Sequence, residues 1–488
     1  MSSILNGIPY VFVAAPLFAF ILNNAVPRER MRSHAVALSG GVAALQLAAA
    51  ILGFALLAAS GRGEVRFGLF WSVDAAGAAY LRVNLVSLFL LLCVGFVALA
   101  SALTAAKTID DHRCSFANLF MALLLGMNGM LLATDLFTLY VFLEITGTAS
   151  FVLIAMYKSS KGLEGAFKYL TMSALATIMM LTGLALLFMH TGSLAFADLG
   201  AAALSGASGE MDILCYGALA LLISGFAIKA GAAPFHSWLP DAHQSADTAV
   251  SILLSGIVIK IAGAYGFIVL VELFGDLYAV RLSVAALGVA TIAFGALLAL
   301  VQTHFKRIAA YSSVSQVGYI LLGIAAGSPL GLVGALLHVF SHAAFKSTLF
   351  SGAAALHEQL GTLDIEQMGG LQKNMPVTGF ASVTSFLSAA GVPPFAGFWS
   401  KLLILISLWQ AGWIGLSAAA LGLSILTGAY FLRLQKKVFF GPRNPRWDDV
   451  KEIGGTIRAS QIVLSAVNLG AGLCFPLVLL YLQSIGLI

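Results

Sequence analysis

Seven ionisable side chains lie inside apolar runs where hydrocarbon would surround them: Glu144, Lys229, Lys260, His338, His342, Lys346 and Lys401. Glu144 is centred in Leu-Tyr-Val-Phe-Leu-Glu144-Ile-Thr, and Lys260 in Ser-Gly-Ile-Val-Ile-Lys260-Ile. Each such group costs about 2.5–3.5 kcal/mol on insertion scales, so it must be compensated by pairing, by internal water or by function. His338, His342 and Lys346 recur at i, i+4 and i+8, which puts them on one helix face about 12 Å long. The chemistry that these types suit is proton transfer. A desolvated lysine is drawn toward its neutral form, a nearby carboxylate restores its charge, and histidine titrates near pH 7 and can bridge the two. A pocket for a large organic solute would show aromatic linings and convergent hydrogen bonders. A purely structural ion pair is the other reading for the deep charges, and ordinary core histidines for His338 and His342. Their alignment with Lys346 favours a relay.

Secondary candidates lie nearer the ends of the runs. His236 and His243 flank a Gly/Pro-rich break where a watered approach fits, and Asp247 follows closely. Lys168 is a candidate too, although snorkelling to the headgroups is the preferred reading for Lys168, Arg82 and the Lys306-Arg307 pair.

The elements that must hold these residues are membrane helices. Sixty per cent of the 488 residues are apolar and 10% charged, with mean hydropathy +0.96, whereas soluble domains carry about a quarter charged. Hydropathy predicts about fourteen spans, starting near Leu5, His34, Tyr80, Ser115, Leu136, Ala166, Asp212, Asp247, Leu277, Ile308, Leu330, Val377, Trp413 and Ser460. Residues 192–211 and 433–458 read as too polar or too broken to cross. The first span, followed by Pro27-Arg28-Glu29-Arg30, reads as a retained anchor, because no small-residue cleavage site follows it. Lys and Arg concentrate in odd-numbered connections: Arg28, Arg30 and Arg32 in the first, Lys306 and Arg307 in the ninth, seven residues from Arg433 to Arg458 in the thirteenth. This predicts cytoplasmic odd loops and both termini on the opposite face. The net charge of +5 is thereby a topology signal, and nucleic acid need not be invoked. Cys93, Cys114, Cys215 and Cys474 have no neighbour at metal- or cluster-binding spacing and read as small buried hydrophobes. No metal, cofactor or redox site is expected.

Gly231-Ala-Ala-Pro234-Phe235 in the seventh span returns as Gly391-Val-Pro-Pro394-Phe395 in the twelfth. An odd number of spans apart, the two would run in opposite directions, as in an inverted repeat with broken helices at its ion sites.

Four longer stretches resemble one family. They are Lys229-Ala-Gly-Ala-Ala-Pro-Phe-His-Ser-Trp-Leu-Pro-Asp-Ala-His243 with Ser251 to Lys260; Lys306 to Tyr319, including Gln316; His338-Val-Phe-Ser-His342-Ala-Ala-Phe-Lys346; and Gly391 to Lys401. In this order they resemble the proton-translocating antiporter-like subunits of respiratory complex I (NADH:quinone oxidoreductase), Mrp-type Na+/H+ antiporters and membrane-bound hydrogenases. The resemblance implies an all-α membrane fold of fourteen helices with two inverted five-helix repeats and broken helices seven and twelve. Its divisions would be a three-helix segment at 1–114, repeats at 115–271 (helices four to eight) and 272–440 (helices nine to thirteen), and a loop with the last helix at 441–488. It implies a Glu144/Lys229 charge pair, a central Lys260, and the His338/His342/Lys346 face leading to Lys401. The chain ends too soon after the fourteenth span for the long lateral helix of the most distal complex I member. Three positions depart from the pattern: Asp247 where a proline is usual, Asn84 where many members have Asp, and His304 in place of an acidic residue.

The expected function is movement of protons along a buried Glu/Lys/His chain in the cell's inner membrane, with no redox centre in this chain. Partners would be other membrane subunits, redox subunits elsewhere, protons or sodium ions, and lipid. An Mrp-type exchanger subunit, a membrane component energising transport or hydration of another solute, and a scaffold with a vestigial channel stay open.

Overall fold

Long apolar segments leave the backbone no partner in lipid but itself, so they fold as helices. The computed structural model describes residues 2–68, 81–199 and 213–484. Among these, thirteen helices are long and apolar enough to cross a membrane. A fourteenth crossing is made by two half-length helices, Pro376–Ala390 and Ala396–Gln410. Each is about 22 Å long, short of the roughly 30 Å hydrocarbon core. The chain divides into two compact units, one holding residues up to Lys229 apart from Leu103–Thr108, the other holding Leu103–Thr108 and the residues from Ala230 onward.

In the first unit lie the first two spans, Leu5–Ala25 and Ala35–Ser60, and most of the third, Leu85–Thr108. The fourth is Arg113–Leu132, the fifth Leu136–Ile154 and the sixth Ser160–Thr191, followed, up to Lys229, by the first half of the seventh, Ile213–Ala230. Asn128 ties three of them together, exchanging side-chain hydrogen bonds with Gln46 (2.9 and 3.0 Å) and donating to Phe12 O (2.8 Å). Asp135 and Ser159 cap the fifth and sixth spans, accepting from Thr138 N and Gly162 N.

The third and sixth spans begin elsewhere than expected. Leu81–Asn84 pairs with Glu64–Phe67 as an antiparallel ribbon, so the third helix starts at Leu85. Arg82 is therefore a ribbon residue facing Glu64 (3.5 Å) and the Phe196 ring, not a snorkelling span end. The Ser159 cap moves the sixth start back from Ala166 to Ser160. Tyr80, Asp212 and residues 200–211 lie outside the described residues.

The second unit continues with the rest of the seventh span, Trp238–Ser245. Next come the eighth at Thr248–Phe274, ninth Tyr278–Leu300, tenth Phe305–Ala325, eleventh Pro329–Leu360, the divided twelfth, thirteenth Ile414–Phe440 and fourteenth Gly455–Leu480. Both breaks are built alike. Gly231 (φ 62°) and Gly391 (φ 82°) end the first halves in left-handed conformation, where glycine is the favoured residue. A cis X–Pro bond follows each, at Pro234 and Pro394. Side-chain hydroxyls take up freed backbone donors: Thr291 accepts from Ala233 N (3.0 Å), and Ser388 from Gly397 N (3.3 Å). The eighth span is distorted by π-helical turns at Leu254–Val258 and Lys260–Ala264, the second of which opens on the charged residue. The thirteenth helix runs through a further π turn to Phe440. The polar loop thus begins near Gly441, and Arg433 lies within the span, donating to the Leu300 and Gln302 carbonyls.

Close backbone approach holds the ninth and tenth spans together. A Cβ on Gly318 would lie 2.4 Å from Gly288 O, and one on Gly295 2.4 Å from Ser315 N. Such small-residue contacts are the usual means of helix association in membranes. Gly318→Ala should cost about 1–3 kcal/mol by forcing the pair apart, whereas Gly428→Ala, with nothing within 4 Å, should be neutral. Thermal unfolding of the two variants in detergent checks this.

Candidate functional site

In the first unit, Lys229 ends the apolar half-helix and is fully enclosed. Its Nζ donates to Glu144 Oε1 at 3.0 Å and to Ser173 Oγ at 2.7 Å. Thr177 Oγ1 donates to the same carboxylate oxygen at 2.8 Å. Gly147, one turn beyond Glu144, leaves the ammonium its room, since a Cβ there would lie 3.4 Å from Nζ. The side-chain exposures differ sharply, 1% for Lys229 against 31% for Glu144.

The second unit gathers the other expected groups, and none of its deep lysines meets a carboxylate among the described residues. Lys260 Nζ donates to the Ser255 carbonyl, the fifth residue back across the π-distorted turn. Lys346 Nζ donates to Ala309 O (2.6 Å) and to Ser312 Oγ. Lys401 Nζ donates to Ala389 O (2.8 Å) and Ser424 Oγ (3.1 Å), with the Tyr319 ring 4.4 Å away. His338 links two elements, its Nδ1 2.9 Å from Ser400 Oγ and its Nε2 3.1 Å from Gln316 Oε1. Ser400 is the residue before Lys401. His342 is fully buried with no hydrogen bond at either ring nitrogen. It lies within electrostatic range of Lys260, Lys346, His338 and His243.

His243 is likewise buried without a hydrogen bond on its ring, which stacks on Phe350 at 5.1 Å. His236 is half-buried beside the Phe294 and Tyr311 rings. Lys168 sits in the first turns of the sixth span, exposed and paired with Glu164 at 2.7 Å, in keeping with a surface role. The Lys306-Arg307 pair does not snorkel. Lys306 is buried and donates to Ala246 O (2.8 Å), while Arg307 pairs with Asp241 (2.6 Å) and Gln244 (3.0 Å). Asp247 caps the eighth span, accepting from Ala249 N (2.8 Å) and the Thr108 hydroxyl (3.0 Å).

The hydroxyls and amides of this site escape a search for charge: Ser173, Thr177, Ser312, Gln316, Ser400 and Ser424. A signal existed for some of them. Polar residues recur along the otherwise apolar tenth span, and Ser400 adjoins Lys401. Ser315, Ser347, Ser351, Thr427 and Tyr430 carry further buried oxygens without a protein partner, and buried polar atoms of that kind are ordinarily served by internal water. Cys93 and Cys215 are buried as expected. Cys474 is exposed on the last span, since helix geometry turns its position outward.

Comparison with known proteins gives consistent relatives. The family described as NADH:quinone oxidoreductase/Mrp antiporter, transmembrane, matches residues 133–427. NADH-quinone oxidoreductase subunit N of Desulforudis audaxviator is 34% identical, across 72% of this chain and 70% of that protein. An Na+/H+ antiporter subunit of Alkalihalophilus pseudofirmus is 32% identical, across 78% of this chain and 75% of its own length. Among solved structures, a chain of the Mrp complex from Dietzia sp. DQ12-45-1b superposes with a TM-score of 0.87 at 27% identity, covering 97% of this chain and 95% of that one.

The unequal burial of the ion pair makes a stability prediction. Glu144→Gln strands the enclosed Lys229 and should cost about 3 kcal/mol or more. Lys229→Met leaves only the less buried Glu144 uncompensated and should cost less. The double variant should recover most of the loss, and thermal unfolding of all three checks the order.

Proposed function

The chain belongs to the NADH:quinone oxidoreductase/Mrp antiporter family of membrane subunits, and on that premise we propose that it carries protons across the membrane through its buried lysines and histidines. It acts as the proton-translocating membrane subunit of a complex I-like or membrane-hydrogenase-like assembly. The observation that carries this reading is the environment of Lys260, Lys346 and Lys401. All three are buried in spans, and the hydrogen-bond acceptors around them are neutral carbonyls and hydroxyls. An ammonium with no counter-charge in a poorly polarisable interior is expensive to keep. Gaining and losing a proton there is therefore a small change rather than a prohibitive one.

His338 supplies a relay step. In its neutral ring Nε2–H donates to Gln316 Oε1, which leaves Nδ1 to accept from the Ser400 hydroxyl. When a proton reaches the ring, Nδ1 becomes a donor, and the Ser400 hydroxyl turns to its other acceptor, Gly397 O at 3.2 Å. The charge then stands within electrostatic range of both Lys401 and Lys260, and pushes a proton off either. His342, in range of Lys260 and Lys346, does the same further along the eleventh span. In the first unit, Glu144 holds the Lys229 proton until the carboxylate is itself neutralised.

The likeness to the Alkalihalophilus Na+/H+ antiporter protein and to the Mrp complex supports a second reading, in which proton movement is exchanged against sodium. Either way the chain works beside other membrane subunits in a multi-subunit complex. The basic odd-numbered loops support an inner-membrane orientation with both termini away from the cytoplasm.

A serial path gives a clear expectation for proton uptake by vesicles holding the assembled complex. Lys260→Ala and Lys401→Ala should each lower it about tenfold or more, roughly 1.4 kcal/mol on the barrier. The double variant should be little worse than the worse single. Independent paths would make the two defects multiply. Full activity in Lys401→Ala would remove that residue from the path, and sodium dependence of the wild-type flux selects the exchanger reading.

A further inference from the structure

Four span ends meet in the second unit around a carboxylate that the relay above does not use. Asp247 stands at the start of the eighth span, half-buried, with Oδ1 accepting from Ala249 N and from the Thr108 hydroxyl at the end of the third span. The tenth span contributes Lys306, whose buried Nζ donates to the carbonyl of Ala246, the residue before Asp247. The last turn of the eleventh contributes His357, exposed and in electrostatic range of Asp247. His243 is fully buried with neither ring nitrogen hydrogen-bonded, and lies in electrostatic range of Lys306, Lys346 and Lys260. Exposure falls in the order His357, Asp247, Lys306 and His243, and His243 is in electrostatic range of the deep Lys260 and Lys346. All four ends border odd-numbered connections, the face proposed as cytoplasmic.

We propose that Asp247, with His357, is the proton inlet of the second unit, collecting protons at the cytoplasmic surface and passing them by way of Lys306 to His243. This rests on the proton-carrying reading given above. No bond other than O–H and N–H is made or broken. A proton taken onto the Asp247 carboxylate neutralises the counter-charge of Lys306, whose ammonium then gives up its proton to a ring nitrogen of His243. The Asp247 proton refills the amine, and the carboxylate is ready again. Burial raises the Asp247 carboxyl above its ordinary range, although Lys306, the Ala249 N–H, the Thr108 hydroxyl and His357 all act against the rise. A carboxyl so placed holds a proton for longer than a solvated one. The charged and titratable groups that bear on Asp247 are Lys306 and His357, with the neutral Thr108 hydroxyl from the third span.

The test separates capture from capping. Asn caps a helix about as well as Asp, so Asp247→Asn keeps the fold and removes the titrating charge. Proton uptake is measured in vesicles of the assembled complex with the cytoplasmic face outward, from pH 6 to about 9. At the alkaline end, where protons are scarce and capture is limiting, Asp247→Asn should fall about tenfold below wild type. At the acid end the two should converge, and Asp247→Glu should restore most of the alkaline rate. His357→Gln added to Asp247→Asn should lower the rate little further. An Asp247→Asn profile that overlays wild type, or one lowered equally at every pH and not rescued by Glu, overturns the inlet. Lys260→Ala in the same assay keeps the two claims apart: if it alone is inert and Asp247→Asn is normal, only the inlet falls.

Discussion

An ammonium moved from water into a helix bundle loses several kcal/mol of solvation, and nothing apolar returns it. This chain accepts that loss at Lys229, Lys260, Lys346 and Lys401, each buried in the spans. Much of the remaining architecture follows from holding them. The seventh and twelfth helices are broken beside two of these lysines, Lys229 and Lys401, and at the twelfth the break leaves a free backbone carbonyl to face the charge. Ala389 O, at the end of the first half of the twelfth span, is that carbonyl, and it accepts from Lys401. The eighth helix reaches a similar end without a break, by π-helical turns before and at Lys260. Glycine on the eighth span lets the segment come close: a Cβ on Gly263 would lie 2.3 Å from Ala230 Cα.

The two units solve the same problem differently. In the first, a carboxylate meets the lysine directly, and Ser173 and Thr177 complete the hydrogen bonding. In the second, lysines are separated by histidines and served by neutral oxygens, so charge on one member bears on the next at once. On the proton-carrying proposal, the held pair would store a proton and the row of lysines and histidines would pass protons along.

Much of this could be read from the chain, because burying charge is rare enough to be conspicuous. Glu144, Lys229, Lys260 and Lys401 announce themselves by standing in apolar runs, and His338, His342 and Lys346 by helical spacing. The broken helices are legible as Gly…Pro-Phe repeats. What the chain does not display is which neutral group each charge meets. Ser173 and Gln316 look like ordinary polar residues until the fold brings them to Lys229 and His338. Lys306 misleads for a related reason. Its place at a helix start suggests a side chain reaching for headgroups, but the turn after the broken seventh span folds over it, and Ala246 O accepts its hydrogen bond. The ribbon before the third span was hidden because Leu81–Asn84 is only four residues long and runs directly into the apolar helix that starts at Leu85.

Everything proposed for the second unit turns on whether its buried lysines release and regain protons or act as fixed positive charges. Lys260→Arg separates the two directly, since a guanidinium keeps its charge and does not deprotonate in proteins. Proton uptake would be followed in vesicles carrying the assembled complex, with assembly verified for the variant. Transport should be lost although the charge is preserved. Transport near the wild-type rate with arginine at position 260 would contradict proton exchange at this site, and would leave Lys260 a static charge that shapes the field of the channel.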